Sequence, residues 1–392
     1  MTRIPTPLDC VQNIAPYQPG KPIEELAREL SLDPTSIVKL ASNENPLGCS
    51  EAVAQEVSKE LNEVARYPDG SGYKLKNQLS SKLGISPDNL ILGNGSNDIL
   101  EMAAIAFLDH DRSAIYSEFC FVVNKLATQS RAAYGIEVPS IDYGHDLERM
   151  RDAIQTDTRI IFISNPNNPT GTFIQPEDVL RFIESVPEHI LVILDEAYYE
   201  YLPKNLQSDS AKWIKRFPNL LVTRTFSKIY GLASLRVGWG HGSKKIIDAM
   251  NAIKPPFNVN HIAQIAATEA LKDRNFINKS VNHNIAEANK AKKILEKYDI
   301  FSNEVTANFL LLNFDKCKFS AKYVLNKLQL KGIILRSTED GYNIKNKLRL
   351  TIGSKKENIK FIAAIKDMFN NYEKYFNCRM WFNWLIIVKV NS

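Results

Sequence analysis

Lys228 stands just beyond an apolar run, Leu220, Leu221 and Val222, with Thr225 and Ser227 before it and Arg236 eight residues after it. Such a run reads as a buried strand, which would deliver the lysine to a loop at its end. A lysine amine condenses with an aldehyde, while hydroxyls and a guanidinium hold a phosphate. These residue types at this spacing suit a covalently held aldehyde that carries a phosphate. The plain alternative, an exposed lysine on a strand-to-helix turn, has to be overturned by the rest of the chain.

Three further motifs each follow an apolar run. Ile190-Leu191-Val192-Ile193-Leu194 leads into Asp195-Glu196-Ala197-Tyr198, residues 158–163 lead into a turn holding Asn168, and residues 89–92 lead into Gly93-Asn94-Gly95-Ser96-Asn97-Asp98. The aldehyde that unites them is pyridoxal phosphate, which needs an amine, a carboxylate against its pyridine nitrogen and an anion cradle. Asp195 fits the carboxylate; Glu196, one residue on, would point to the other side. Tyr198 and Asn168 can donate to the ring oxygen. Phe121, with Phe119 as second choice, can cover the ring face. The phosphate would take the amides of Ser96 and Asn97 together with Thr225, Ser227 and Arg236. The Gly-rich turn is not a dinucleotide fingerprint, because Asp98 stands where that pattern needs glycine. Lys228, once displaced by a substrate amine, would be the base that moves the Cα proton to C4′. The expected catalytic trio is thus Lys228, Asp195 and Tyr198.

The elements that must position these side chains read as an α/β fold. Apolar strands at 90–92, 114–116, 158–163, 190–194 and 220–223 alternate with helices at 73–83, 99–108, 121–133 and 177–184. Such alternation predicts a mostly parallel sheet sandwiched by helices, with ligands gathered beyond the carboxyl ends of the strands. Beyond residue 246 the chain is helical, including a long Lys-rich helix at 275–298. A small α+β unit follows, with strands at 309–314, 333–335 and 348–352 and helices at 323–330 and 356–369. Arg336 and Arg349 each sit at one of its strands and could clamp an anion if it faces the large sheet. The expected division is an N-terminal segment and arm over 1–40, a large cofactor-binding domain over 41–285, a small C-terminal domain over 286–369 and an extension over 370–392.

Composition narrows the class. The 392 residues are 44% hydrophobic and 24% charged, ordinary for a soluble globular protein. A net charge of +5 with scattered lysines gives no support to a nucleic-acid partner. The five cysteines lie far apart with no CxxC pair, which argues against a zinc ribbon or disulfide framework and suits a reducing compartment. The start, MTRIPTPLDC, lacks an apolar signal core, and no apolar run approaches the roughly 18 residues that span a bilayer. A cytoplasmic protein with no membrane partner and no metal is expected.

Seven motifs together carry a family resemblance: KLASNENPLG (39–48), RYPDGSGYKLK (66–76), LGNGSND (92–98), NPNNPTG (165–171), DEAY (195–198), TFSKIYGLASLRVGW (225–239) and LRLTIG (348–353). In order and spacing they resemble the fold-type-I pyridoxal-phosphate aminotransferases, and within these the histidinol-phosphate aminotransferases. The resemblance implies a homodimer with its active site at the subunit interface, where Tyr67 reaches the cofactor phosphate of the neighbour. It implies that Tyr17, Asn43, Arg336 and Arg349 bind the phosphate of the amino substrate or the carboxylate of the keto acid. The implied reaction is L-histidinol phosphate plus 2-oxoglutarate giving imidazole-acetol phosphate and glutamate, in histidine biosynthesis. Aromatic amino acid aminotransferases share nearly all these motifs. A phosphothreonine decarboxylase of the same fold would share Lys228, Asp195 and Arg236, but the NENPLG wording argues against it. Four features depart from the family pattern: Asn97-Asp98 where Asp-Glu is usual, Asn124 where a tyrosine is usual, Gly231-Leu232-Ala233-Ser234 after the lysine, and the residues beyond 369, to which no function is assigned.

Overall fold

The computed structural model describes residues 5–17 and 20–371, so the C-terminal extension lies outside the described residues from 372 onward. The chain enters the fold through a short strand, β1 (Val38–Leu40). The apolar runs then form β2 (Leu90–Gly93), β3 (Ser113–Ser117), β4 (Tyr134–Val138), β5 (Thr158–Ser164), β6 (Leu191–Asp195), β7 (Leu220–Thr225) and β8 (Gly238–Gly242). These seven make one sheet in the order β2-β8-β7-β6-β5-β3-β4. From β7 through β6, β5 and β3 to β4 the neighbours run parallel, while β8 lies antiparallel to both β2 and β7.

The register matters more than the strand count. Ser164 of β5 lies beside Asp195 of β6, which lies beside Thr223 of β7. Three strand ends are thereby level, and the loops that leave them open onto one region. Both sheet faces are covered. Leu194, Val222 and Trp239 face one apolar layer, and Ile193, Leu221 and Phe162 face the other. Burial on both faces is why these strands read as continuous apolar runs and not as alternating ones.

A second sheet has the order β1-β11-β12-β10-β9, adding β9 (Phe301–Ser302), β10 (Phe309–Asn313), β11 (Ile333–Ser337) and β12 (Lys347–Thr351). Its first strand, β1, comes from the segment expected as an N-terminal arm and pairs parallel with β11. Val38 and Leu40 point into this sheet's core with Leu310, Leu312 and Leu350. Lys39, between them, must project from the opposite face. Arg336 and Arg349 are direct cross-strand partners. The 22-residue helix Arg274–Leu295 joins the two layers. Near its start Ser280 bonds Asn45, and towards its end Ala288, Ala291 and Leu295 pack in the second core. Among the described residues no helix is long and apolar enough to cross a membrane.

Four elements differ from expectation. The helix expected over 121–133 is shorter, Val122–Gln129, and β4 follows as an edge strand that carries no apolar run because one side stays exposed. β8 is Gly-Trp-Gly-His-Gly, a composition with little strand propensity. It is held by pairing with β2 and β7, and its glycine at 238 is required because a Cβ there would lie 2.6 Å from the Ser96 amide nitrogen and keep the helix end away. That helix begins at Ser96 rather than Ile99, which brings the Gly-rich turn to its N-terminus.

Candidate active site

A cavity of about 300 Å³ opens beyond the level strand ends and is roofed by the second sheet. Lys228 lines it, with Nζ 3.4 Å from the carbonyl of Ser42. Burial lowers the lysine's pKa to about 8, and Arg349 and Arg236 push the same way against Glu44 and Asp195. The neutral, nucleophilic form of this amine is therefore far more accessible near physiological pH than in an ordinary lysine. Asp195 lines the same cavity and accepts a hydrogen bond from Thr223 Oγ1 at 2.9 Å. Burial raises its carboxyl to about 6, while the Thr223 bond and the Ala197 amide pull the other way. A cation brought against it would return it to the charged form.

Glu196 points to the opposite side. It forms a buried ion pair with Arg224 at 2.8 Å and accepts from Ser208 and Ser210. Tyr198 accepts from Asn43 Nδ2 at 2.9 Å, which leaves its own proton for an acceptor in the cavity, and burial pushes its phenol pKa up. The Asn168 carbonyl accepts from Arg349 Nη1 at 2.5 Å, so its amide hydrogens are the half not used by that bond.

The anion cradle is built from backbone. Gly95 has φ +88°, and a Cβ there would come within 2.4 Å of Arg236 Nη2. Glycine is thus what lets the guanidinium sit at the end of the helix that starts at Ser96. The first amides of that helix have no intrahelical acceptor, and no side chain caps them. Arg236 Nη1 donates to Ser227 Oγ at 3.1 Å, and Thr225 Oγ1 accepts from the Ser227 amide at 3.1 Å. Amides, hydroxyls and guanidinium therefore converge on one point, which is what a phosphate dianion requires.

The other expected residues divide. Phe121, Asn97, Tyr17 and Arg336 line the cavity, the Arg336 guanidinium lying 5.7 Å from the centre of the Tyr17 ring. Phe119, the second choice for covering the ring, packs on Tyr143 and does not line the cavity. Tyr67 is not in this chain's cavity either. It is 83% exposed and stacked on Phe257 at 4.7 Å. The donor set fits pyridoxal phosphate: a desolvated amine, a buried carboxylate on an adjacent strand, a phenol and an amide, an aromatic face, and a phosphate cradle that a Cβ at position 95 would fill.

The family model for aminotransferase class I and II matches residues 35–365. The chain belongs to the class I and II aminotransferases. A histidinol-phosphate aminotransferase from Pelagibacter ubique is 48% identical over 357 residues, 91% of this chain and 97% of that protein. One from Nitrosospira multiformis is 47% identical over 355 residues, 91% of this chain and 90% of that protein. Among solved structures, histidinol-phosphate aminotransferase from Sinorhizobium meliloti in complex with pyridoxal-5'-phosphate superposes with a TM-score of 0.84 at 23% identity. That match covers 95% of this chain and 99% of the other, and at such identity it establishes the fold.

Within this aminotransferase, sequence reasoning missed four participants. Thr223 and the Ser42 carbonyl touch Asp195 and Lys228, and Lys39 and Glu44 line the cavity wall. Lys39 had a usable signal, a charge between two apolar residues of a short strand. The Ser42 contact is made by backbone and left no trace in residue type.

Proposed function

We propose that this pyridoxal-phosphate aminotransferase takes the amino group of L-histidinol phosphate and passes it to 2-oxoglutarate. The observation that carries the reading is the joint presence of Lys228, Asp195 and two cross-strand arginines on one cavity wall. Like charges on adjacent strands repel, so Arg336 and Arg349 make sense around an anion, with Tyr17 beside them. Each donor or acceptor that must bind there ends in a phosphate or a carboxylate. The relatives' names supply the imidazole.

Pyridoxal phosphate, when bound, supplies the electron sink that makes the substrate Cα proton acidic. Asp195 would hold the positive charge at the pyridine nitrogen, and Thr223 fixes the carboxylate's orientation. Tyr198 and the Asn168 amide donate toward the ring oxygen. Arg236, Ser227, Thr225 and the amides of Ser96 and Asn97 anchor the phosphate end, and Phe121 covers a ring face. Lys228 would hold the aldehyde and would serve as the base that moves the substrate's Cα proton. Arg336, Arg349 and Tyr17 fix the far end of the substrate, with Asn43 steadying Tyr198. We take the active unit to be a homodimer in which Tyr67 serves the neighbouring site; its exposed stack with Phe257 suits a surface awaiting a partner. The free state of Cys10, Cys49, Cys120 and Cys317 suits the reducing cytoplasm.

A donor panel tests the substrate. Holoenzyme supplied with 2-oxoglutarate and either L-histidinol phosphate, phenylalanine or O-phosphothreonine should give the highest kcat/KM with the first and release no carbon dioxide. A higher value with phenylalanine would assign an aromatic aminotransferase, and carbon dioxide from phosphothreonine a lyase.

A further inference from the structure

Among the described residues two carboxylates line the cavity, and the mechanism uses only Asp195. The other is Glu44. Five cations line the same walls: Lys39, Lys228, Arg236, Arg336 and Arg349. Four of them have partners assigned above, in the cofactor's aldehyde and phosphate and in the anionic end of the substrate. Lys39 and Glu44 are left over, and they face each other with Lys39 Nζ 3.7 Å from Glu44 Oε1.

Glu44 is held where it stands. Its neighbour Asn43 has φ +54°, a left-handed turn, and is bonded through its side chain to Tyr198 and Thr351. Asn45 on the other side donates to the Ile229 carbonyl and to Ser280. Asn308 Nδ2 spans the carbonyls of Asn43 and Glu44 at 2.9 and 3.2 Å. The backbone is thus tied on both flanks, while the Glu44 side chain remains 51% exposed to the cavity mouth. A fixed carboxylate in a pocket that must admit phosphate and carboxylate groups repels them, so its presence calls for a substrate group that it attracts. Resting on the histidinol phosphate reading, the substrate's amine is engaged at the cofactor's aldehyde, and the remaining such group is the imidazole ring, whose N–H is a donor and whose protonated form is a cation.

We infer that Glu44, steered by Lys39, accepts the imidazole N–H of the amino donor and so selects imidazole over phenyl. A ring without N–H would displace water from this half-exposed carboxylate and return no hydrogen bond, leaving it Lys39 alone. One charge-assisted hydrogen bond of this kind is worth about 10-fold or more in affinity.

The test uses ligands that cannot react. Holoenzyme and its Glu44→Gln variant are titrated calorimetrically with 3-(imidazol-4-yl)propyl phosphate and with 3-phenylpropyl phosphate. The native enzyme should bind the imidazole compound about 10-fold or more tightly than the phenyl one, and the variant should lose most of that preference. In turnover, the variant's kcat/KM should fall further for histidinol phosphate than for glutamate. The pH at which the holoenzyme's visible absorption changes should move down slightly, because Glu44 also acts on Lys228, and this shift should accompany the lost preference. A preference retained in the variant, or absent from the native enzyme, would overturn the inference. So would a shifted absorption profile with an intact preference, which would assign Glu44 to Lys228 instead. If the native enzyme fails to turn over histidinol phosphate at all, the underlying substrate reading fails by that separate measurement.

Discussion

Lys228 differs from a surface lysine through burial and the neighbouring Arg349 and Arg236, which together lower its pKa to about 8. Because the folded-state value is depressed, the neutral amine accumulates at lower pH than in an ordinary lysine, which titrates near 10.4. In cofactor-free enzyme the rate of covalent capture of pyridoxal phosphate should therefore rise with pH through about 8 and level off above it. A rate that climbs on past pH ~10 would mean the amine is not desolvated. At this scale the sequence was informative. Lys228, Asp195, Tyr198 and Arg236 could be picked out because their motifs follow apolar runs, and the fold brings all four to one cavity. Glu44 could not, since an acidic residue in a polar turn looks like any solvated charge until the second sheet is folded over it.

Two strands of the large sheet carry the proposed chemistry, and a buried ion pair ties them. Arg224 of β7 and Glu196, just past the end of β6, are both nearly inaccessible, and Tyr199 lies 3.5 Å beneath the guanidinium. Removing one partner strands a buried charge. Glu196→Gln should lower unfolding stability by about 3 kcal/mol, the low end of the usual cost, because Glu200 remains near Arg224. The double variant with Arg224→Met should be less destabilised than the single one. Chemical denaturation of both single variants and the double checks this, and a double loss equal to the sum of the two single losses would mean that the pair is not coupled. The elements themselves were mostly legible from apolar runs. β4 was missed because an edge strand with one exposed side has no run, and β8 because its glycines are demanded by a helix that lies far off in sequence. The attachment of β1 to the second sheet was equally hidden, since its pairing with β11 is set by tertiary contact.

The whole molecule, as a single chain, leaves one expected participant outside its own cavity. Tyr67 sits beside Phe257 with Val64, Pro68 and Pro256 around a surface hollow. In the proposed dimer this surface meets the second copy, and each site draws on both chains. Subunits carrying Lys228→Ala and subunits carrying Tyr67→Ala should then complement. Hybrid dimers place both defects in one site and restore the other. Co-refolded mixtures should turn over faster than either parent, and no gain on mixing would assign each site to one chain. Legibility was weakest here, because a tyrosine and an arginine in a tight loop resemble surface decoration until a neighbour is considered.

The most direct measurement is chemical. Holoenzyme is reduced with borohydride, digested, and its peptides are weighed for the added cofactor. The label is expected on the peptide that holds Lys228 and nowhere else. A label on Lys39, the other lysine of the cavity wall, or on no lysine, would contradict the arrangement of Lys228 and Asp195 about one pyridine ring.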